Sequence, residues 1–170
     1  NKKFKVIFCG YHGWHDWYLS SNIKNKKNLD KHLFSNLKIE GVPRYLKNST
    51  FSFAYNDFDA LKKIIDNKKD IGVLIMEVTR NILPKNNFLK KIRDICNKKN
   101  IVLIFDECTS GFRETFGGIH EKFGINPDIV VYGKAIGNGY AINPIVGKKD
   151  VMDCAKQTFI SSTFLSDKIG

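Results

Sequence analysis

Apolar positions in this chain fall into short runs whose spacing alternates between that of strands and that of helices. Residues 4–9, Phe-Lys-Val-Ile-Phe-Cys, read as a buried strand, and the aromatic stretch 11–18 that follows reads as a loop or helix start. The Asn- and Lys-rich stretch 20–31 reads as an exposed loop. Residues 51–55 alternate weakly; Asn56-Asp57 then caps a series (Phe58, Leu61, Ile64, Ile65) whose apolar spacing predicts a helix over 57–68. A short apolar run over 71–76 ends at Glu77, and an amphipathic helix over 88–96 leads into a strand from Ile101. The turn Asn126-Pro127-Asp128 introduces a further strand at Ile129.

Short apolar strands alternating with helices predict an α/β fold, a mostly parallel sheet with helices on both faces. In such sheets ligands gather at the carboxyl ends of the strands. Glu77, Asp106 and Lys134 each fall at or just past such an end. Neither an internal repeat nor a Pro/Gly-rich linker divides the chain. Its opening residues read as the middle of an α/β layer, so residues 1–170 are expected to be the central part of a larger domain.

Composition narrows the partners. With 42% hydrophobic residues the chain can build one sizeable core, and no apolar stretch approaches the roughly 20 residues that span a bilayer, so no membrane is expected. Cys9, Cys96, Cys108 and Cys154 lie far apart without a Cys-x-x-Cys, which argues against a zinc knuckle or a disulfide framework and favours the cytoplasm. The formal charge of +11 is spread over scattered pairs such as Lys62-Lys63 and Lys98-Lys99. Scattered lysines read as solvated helix faces rather than a nucleic-acid patch. His12, His15 and Asp16 lack a third partner at metal-ligand spacing, so no metal is expected.

Two segments carry candidate chemistry. The run Ile101-Val-Leu-Ile-Phe105 ends in Asp106-Glu107, which also suits the magnesium element of a nucleotide hydrolase. That reading requires a Gly-x-x-x-x-Gly-Lys-Ser/Thr loop, and Gly133-Lys134 is followed by Ala135 without the upstream glycine. Glycines on both sides of Lys134 leave room for a flat ring, and desolvation would make its amine nucleophilic near neutral pH. Each residue alone also has a purely structural reading, Asp106 as a turn cap and Lys134 as a turn lysine. A lysine that forms an imine and a carboxylate that keeps a pyridine nitrogen protonated are the two groups pyridoxal phosphate chemistry takes from a protein.

Taken in chain order, eight stretches resemble the class III aminotransferases of pyridoxal phosphate fold type I, most closely the glutamate-1-semialdehyde 2,1-aminomutase-like branch. They are Tyr11-His-Gly-Trp, Tyr55-Asn-Asp, Ile75-Met-Glu77, Ile104-Phe-Asp-Glu-Cys-Thr-Ser-Gly-Phe-Arg113, Gly117-Gly118, Asn126-Pro-Asp128, Gly133-Lys-Ala-Ile-Gly-Asn-Gly139 and Ser161-Ser-Thr-Phe164. The resemblance implies that the cofactor is pyridoxal 5'-phosphate, that Lys134 bonds it and shuttles a proton, and that Asp106 pairs with its pyridinium nitrogen. Tyr11, His12 and Gly13 would border it, with Tyr11 stacked on one ring face and Cys108, where valine is usual, on the other. Thr163 would bind phosphate in the neighbouring subunit's site, which implies a homodimer with shared active sites. A small-molecule amino donor and a carbonyl acceptor would be the substrates. Glu77 is followed by Val78 rather than the family's proline, and Asn81 is a candidate contact to the cofactor's phenolic oxygen. The resemblance covers nearly all of the chain, which corresponds to the central part of the family's large domain. The family's phosphate-binding segment would lie upstream and its small-domain portions beyond. The rival readings are a non-catalytic module of the same fold kept for binding or assembly, and a basic nucleic-acid binder.

Overall fold

The computed structural model describes residues 3–161. Five strands, β1 (Lys5–Cys9), β2 (Thr50–Ser52), β3 (Ile71–Met76), β4 (Val102–Glu107) and β5 (Ile129–Tyr132), run parallel. A sixth, β6 (Ile145–Gly147), pairs antiparallel with β5, giving the order β2-β1-β3-β4-β5-β6. The parallel sheet expected from the alternating runs is present. The edge strand β6, with all three residues exposed, has no sequence signal strong enough to reveal it.

Register separates two sets of side chains. Ile7 pairs with Leu74 and Leu74 with Leu103, while Phe8 pairs with Ile75 and Ile75 with Ile104. Because side chains alternate along a strand, the first set faces one side of the sheet and the second the other. The first side is covered by two helices, α2 (Phe58–Asn67) and α3 (Phe88–Lys99), numbered after a short α1 (Asp16–Leu19); a last short helix is α4 (Lys149–Met152). Asp57 caps α2 by accepting from the Ala60 N–H at 2.9 Å, as the sequence suggested. Leu61, Ile92, Leu103 and Phe105 are wholly buried in this layer. Each such side chain contributes about 1.5–3 kcal/mol of hydrophobic stabilisation.

The other side of the sheet carries α1 and irregular chain over β1, around a smaller core of Phe8, Tyr18 and Leu29. Here the reading of 20–31 as an exposed loop is corrected. A 3-10 turn over Ser20–Ile23 buries Ser20, Ser21 and Asn22, and Leu29 is wholly buried. Asparagine side chains make this burial tolerable by replacing water. The Leu29 N–H donates to Asn22 Oδ1 at 3.1 Å, and Asn22 Nδ2 donates to the Leu37 carbonyl at 3.0 Å. Asn28 Nδ2 does the same for the Ser21 carbonyl at 2.7 Å. Asparagine serves the turns as well: among the described residues, seven of the ten non-glycine residues with positive φ are Asn. No helix among the described residues is long and apolar enough to cross a membrane.

Candidate active site

Strand alternation assigns the adjacent carboxylates of β4 to opposite faces. Glu107 follows Leu103 and Phe105 into the helical layer, whereas Asp106 follows Ile104 onto the other face. Wholly buried, Glu107 accepts from the Ile119 N–H (2.7 Å), the His120 N–H (3.1 Å) and the Ser110 hydroxyl (3.0 Å) and lies 2.6 Å from His120 Nδ1. Burial pushes its carboxyl up, but these donors outweigh burial and hold it below the usual glutamate range. Glu107 therefore holds the 107–120 segment in place and offers nothing to a ligand. Gly118 fits against it because a Cβ there would lie 2.7 Å from Glu107 Oε1.

Asp106 opens onto a cavity of about 410 Å³ at the carboxyl ends of β3, β4 and β5. Its Oδ2 accepts from His12 Nδ1 at 2.7 Å and its Oδ1 from the Cys108 N–H at 3.1 Å. Burial raises the Asp106 carboxyl, yet His12 and the Cys108 N–H overcome it, so the group lies below the usual aspartate range and is ionised at neutral pH. His12 is buried, and its Nε2 has no partner among the described residues. Cys108 keeps its proton, because burial and then the Asp106 charge push its thiol up to about 11.

Lys134 borders the same cavity from the turn after β5, but it is exposed, so the desolvation expected from its flanking glycines is not found here. Its Nζ donates to Thr109 Oγ1 at 3.0 Å, and its backbone lies in the left-handed region at φ 49°. Gly133, just before it, is crowded. A Cβ there would stand 2.8 Å from Asn143 Oδ1 and 3.3 Å from Cys108 Sγ. Tyr11 lines the cavity with its ring fixed by edge-to-face contacts to Tyr18 and Phe34.

The expected residues Tyr11, His12, Gly13, Asp106, Cys108 and Lys134 thus border one cavity, while Thr163 lies outside the described residues. Asn81 is absent from its lining and borders a smaller neighbouring chamber instead. Sequence reasoning missed Thr109, whose hydroxyl signal is common to many turns, and Arg80, which pairs with Glu77 Oε1. Glu77 also accepts from the Tyr11 N–H at 3.3 Å. Gly10, at φ 120°, makes room for it, since a Cβ would lie 2.7 Å from Glu77 Oε2.

A cavity with an ionised carboxylate, a lysine amine, an aromatic ring and a small thiol suits a flat cationic heterocycle bearing an aldehyde. Comparisons with known proteins agree with that chemistry. The family model described as "Aminotransferase class-III" matches residues 1–169. The chain is 37% identical over 99% of its length to a 3-aminobutyryl-CoA aminotransferase of Cloacimonas acidaminovorans, covering 38% of that protein. It is 40% identical, also over 99% of its length, to a glutamate-1-semialdehyde 2,1-aminomutase of Nitrosopumilus maritimus, covering 41% of that protein. The chain therefore spans about two fifths of the length of these curated relatives. Among solved structures, an omega-transaminase from Sphaerobacter thermophilus superposes with a TM-score of 0.75 at 25% identity, covering 96% of this chain and 40% of the other.

Proposed function

The chain belongs to the class III aminotransferases, a pyridoxal phosphate-dependent family, and on that premise we propose that its cavity holds pyridoxal phosphate and moves an amino group. The observation that carries the reading is that Asp106 and Lys134, 28 positions apart in the chain, border the same cavity. Bound there, pyridoxal phosphate supplies an aldehyde for an amine to attack and a protonated ring that draws electrons from the reacting carbon.

The protein's own residues divide the remaining work. Ionised Asp106 holds a proton on a ring nitrogen through a charge-assisted hydrogen bond, worth about twice a neutral one. His12 fixes the orientation of that carboxylate by donating to Oδ2, and the Cys108 N–H fixes the other oxygen. Tyr11 and Cys108 offer flat and small apolar surfaces, and the protonated thiol adds no competing charge. Lys134 would serve as covalent anchor and, once displaced, as the base that carries a proton; Thr109 Oγ1 accepts from its exposed Nζ and keeps it at the cavity.

The relatives divide between a transferase and a mutase, and the reading here is an aminotransferase or aminomutase acting on small amino and carbonyl compounds. A homodimer with shared active sites belongs to the same reading. Borohydride treatment of the cofactor-loaded full-length protein, followed by peptide mass mapping, tests the assignment. A pyridoxyl adduct on the peptide carrying Lys134 is the expected result, and an adduct on another lysine refutes it.

A further inference from the structure

The irregular chain over β1 brings a second histidine, His32, beside the segment that carries His12. Both imidazoles pack on the wholly buried Phe8 ring, with centroid distances of 6.2 Å for His12 and 5.6 Å for His32. His32 is tied to the same short segment as His12, since its Nδ1 accepts from the Gly10 N–H at 3.0 Å. The Gly10 carbonyl accepts in turn from Tyr18 Oη at 3.2 Å, so the backbone two residues before His12 is held at both its polar atoms.

Each histidine has one ring nitrogen engaged and one left over, and the two left over are complementary. In a neutral imidazole one nitrogen donates and the other accepts, and the bond made by the first decides the role of the second. Because His32 Nδ1 accepts, the ring carries its proton on Nε2, which is buried and unpartnered among the described residues. Burial first, then the neighbouring His12 and Lys31, pull His32 down to about 4, so at pH 7 the ring is neutral and its Nε2 is a donor lacking an acceptor. His12 is the reverse case. Its Nδ1 donates to Asp106 Oδ2 at 2.7 Å, which leaves Nε2, also buried and unpartnered among the described residues, to act as an acceptor lacking a donor. Buried polar atoms left unpaired cost stability, and one water between the two rings satisfies both, accepting from His32 and donating to His12. The chamber of about 210 Å³ that Asn81 borders is lined by His32 and Gly10 as well, which gives a water room beside His32.

We infer that His32 is a positioning residue for the candidate active site: through a bridging water its Nε2 proton keeps His12 Nε2 bare and the one proton of His12 on Nδ1, aimed at Asp106. The inference rests on the amino-transfer reading and deepens it by one residue behind His12. Its consequence is electrostatic. A second proton on His12 would set a cation against Asp106 Oδ2 and compete with the cofactor's ring nitrogen for the same carboxylate. His32 itself stays outside the lining of the cavity that Asp106 and Lys134 border, so it acts only through His12.

Two variants separate this role from simple anchoring of Gly10. In His32→Asn the amide oxygen takes the place of Nδ1 and accepts from the Gly10 N–H, with no donor left at Nε2; in His32→Gln the amide NH₂ reaches the Nε2 position and donates there. Nitrogen–proton correlation spectra of the full-length protein with labelled histidines, recorded at pH 7 with and without pyridoxal phosphate, show which ring nitrogens carry protons. Absorbance during dialysis gives the rate of cofactor loss, and melting curves confirm that each variant is folded. In the unaltered protein His12 should be protonated on Nδ1 alone and His32 on Nε2 alone. His32→Asn should put a proton on His12 Nε2 in part of the molecules and speed cofactor loss by about fivefold, the effect of one neutral hydrogen bond, while His32→Gln should stay within about twofold of the unaltered protein. A His12 protonated on both nitrogens in the unaltered protein overturns the inference, as does a His32→Asn protein with unchanged spectra and unchanged cofactor loss. So does the opposite ranking, with asparagine tolerated and glutamine not, which would reduce His32 to an anchor for Gly10. The spectra need no cofactor, so the two levels separate. A protein that never loads pyridoxal phosphate refutes the amino-transfer reading, and one that loads it but keeps the His12 protons in place without His32 refutes only the role of His32.

Discussion

Replacing Glu107 and Asp106 one at a time should produce opposite defects, although the residues are neighbours. Glu107→Ala leaves the Ile119 N–H, the His120 N–H, the His120 ring and the Ser110 hydroxyl without their acceptor, in a site with no exposure to water. Each buried donor left unpaired costs about 1–3 kcal/mol, and relaxation around the gap reduces the sum to roughly 3–5 kcal/mol. Glu107→Gln keeps one oxygen but turns an amide NH₂ toward a donor, for a loss of about 1–3 kcal/mol. The loss should depend on acidity. Because the folded-state carboxyl lies below its unfolded value, its contribution is full above the unfolded pKa of about 4.3 and fades as pH falls through the folded value. Asp106→Asn, by contrast, keeps an oxygen for the His12 N–H and should shift stability by less than about 1.5 kcal/mol, while sharply weakening retention of pyridoxal phosphate. Urea unfolding of the full-length protein, followed by circular dichroism at pH 7 and well below the unfolded value, at about pH 3, measures the first effect. Cofactor absorbance after dialysis measures the second. A Glu107→Ala protein that unfolds within about 1 kcal/mol of the unaltered one, or that loses cofactor as readily as Asp106→Asn, would refute the division of roles between the two faces of β4.

Two further outcomes are expected. Asp128 accepts from the Leu103 N–H at 2.8 Å, from Arg93 at 2.9 Å and from Lys148 at 2.7 Å, tying α3, β4 and the end of β6 together. Asp128→Ala should cost roughly 2–4 kcal/mol in urea unfolding at pH 7. Burial opposes ionisation of Asp128, but those three donors hold its carboxyl below the usual range, so the difference from the unaltered protein should shrink as pH drops through the folded value. Gly133→Ala places a methyl 2.8 Å from Asn143 Oδ1 and should displace Lys134. Borohydride trapping on Lys134 should then slow by at least about tenfold, with a melting temperature lowered by only a few degrees; unchanged trapping would show that the turn tolerates the methyl.

The parallel sheet, α2 with its cap, and the placement of Asp106 and Lys134 at strand ends were legible because each depends on local spacing: runs of β-branched and aliphatic residues, and apolar positions at helical intervals. The roles within the dipeptide 106–107 were half legible. Alternation puts the two carboxylates on opposite faces, but which face is open depends on how α2, α3 and the 107–120 segment pack, which the spacing within the strand does not reveal. The stretch 20–31 misled because asparagine is polar whether it meets water or a backbone amide, and composition cannot tell the two apart. Arg80 gave no signal at all, because its pairing with Glu77 at the cavity wall is a property of packing rather than of residue type.

The positive φ of Lys134 sets backbone stability against side-chain chemistry at this one position. A side-chain-bearing residue in the left-handed region costs about 1–2 kcal/mol, whereas glycine adopts it freely and asparagine more readily than lysine. Selection for stability alone would therefore move this position away from lysine. A lineage released from the need for an amine here would drift toward glycine or asparagine and gain stability as it lost the chemistry, the usual trade between robustness and activity concentrated in one backbone angle.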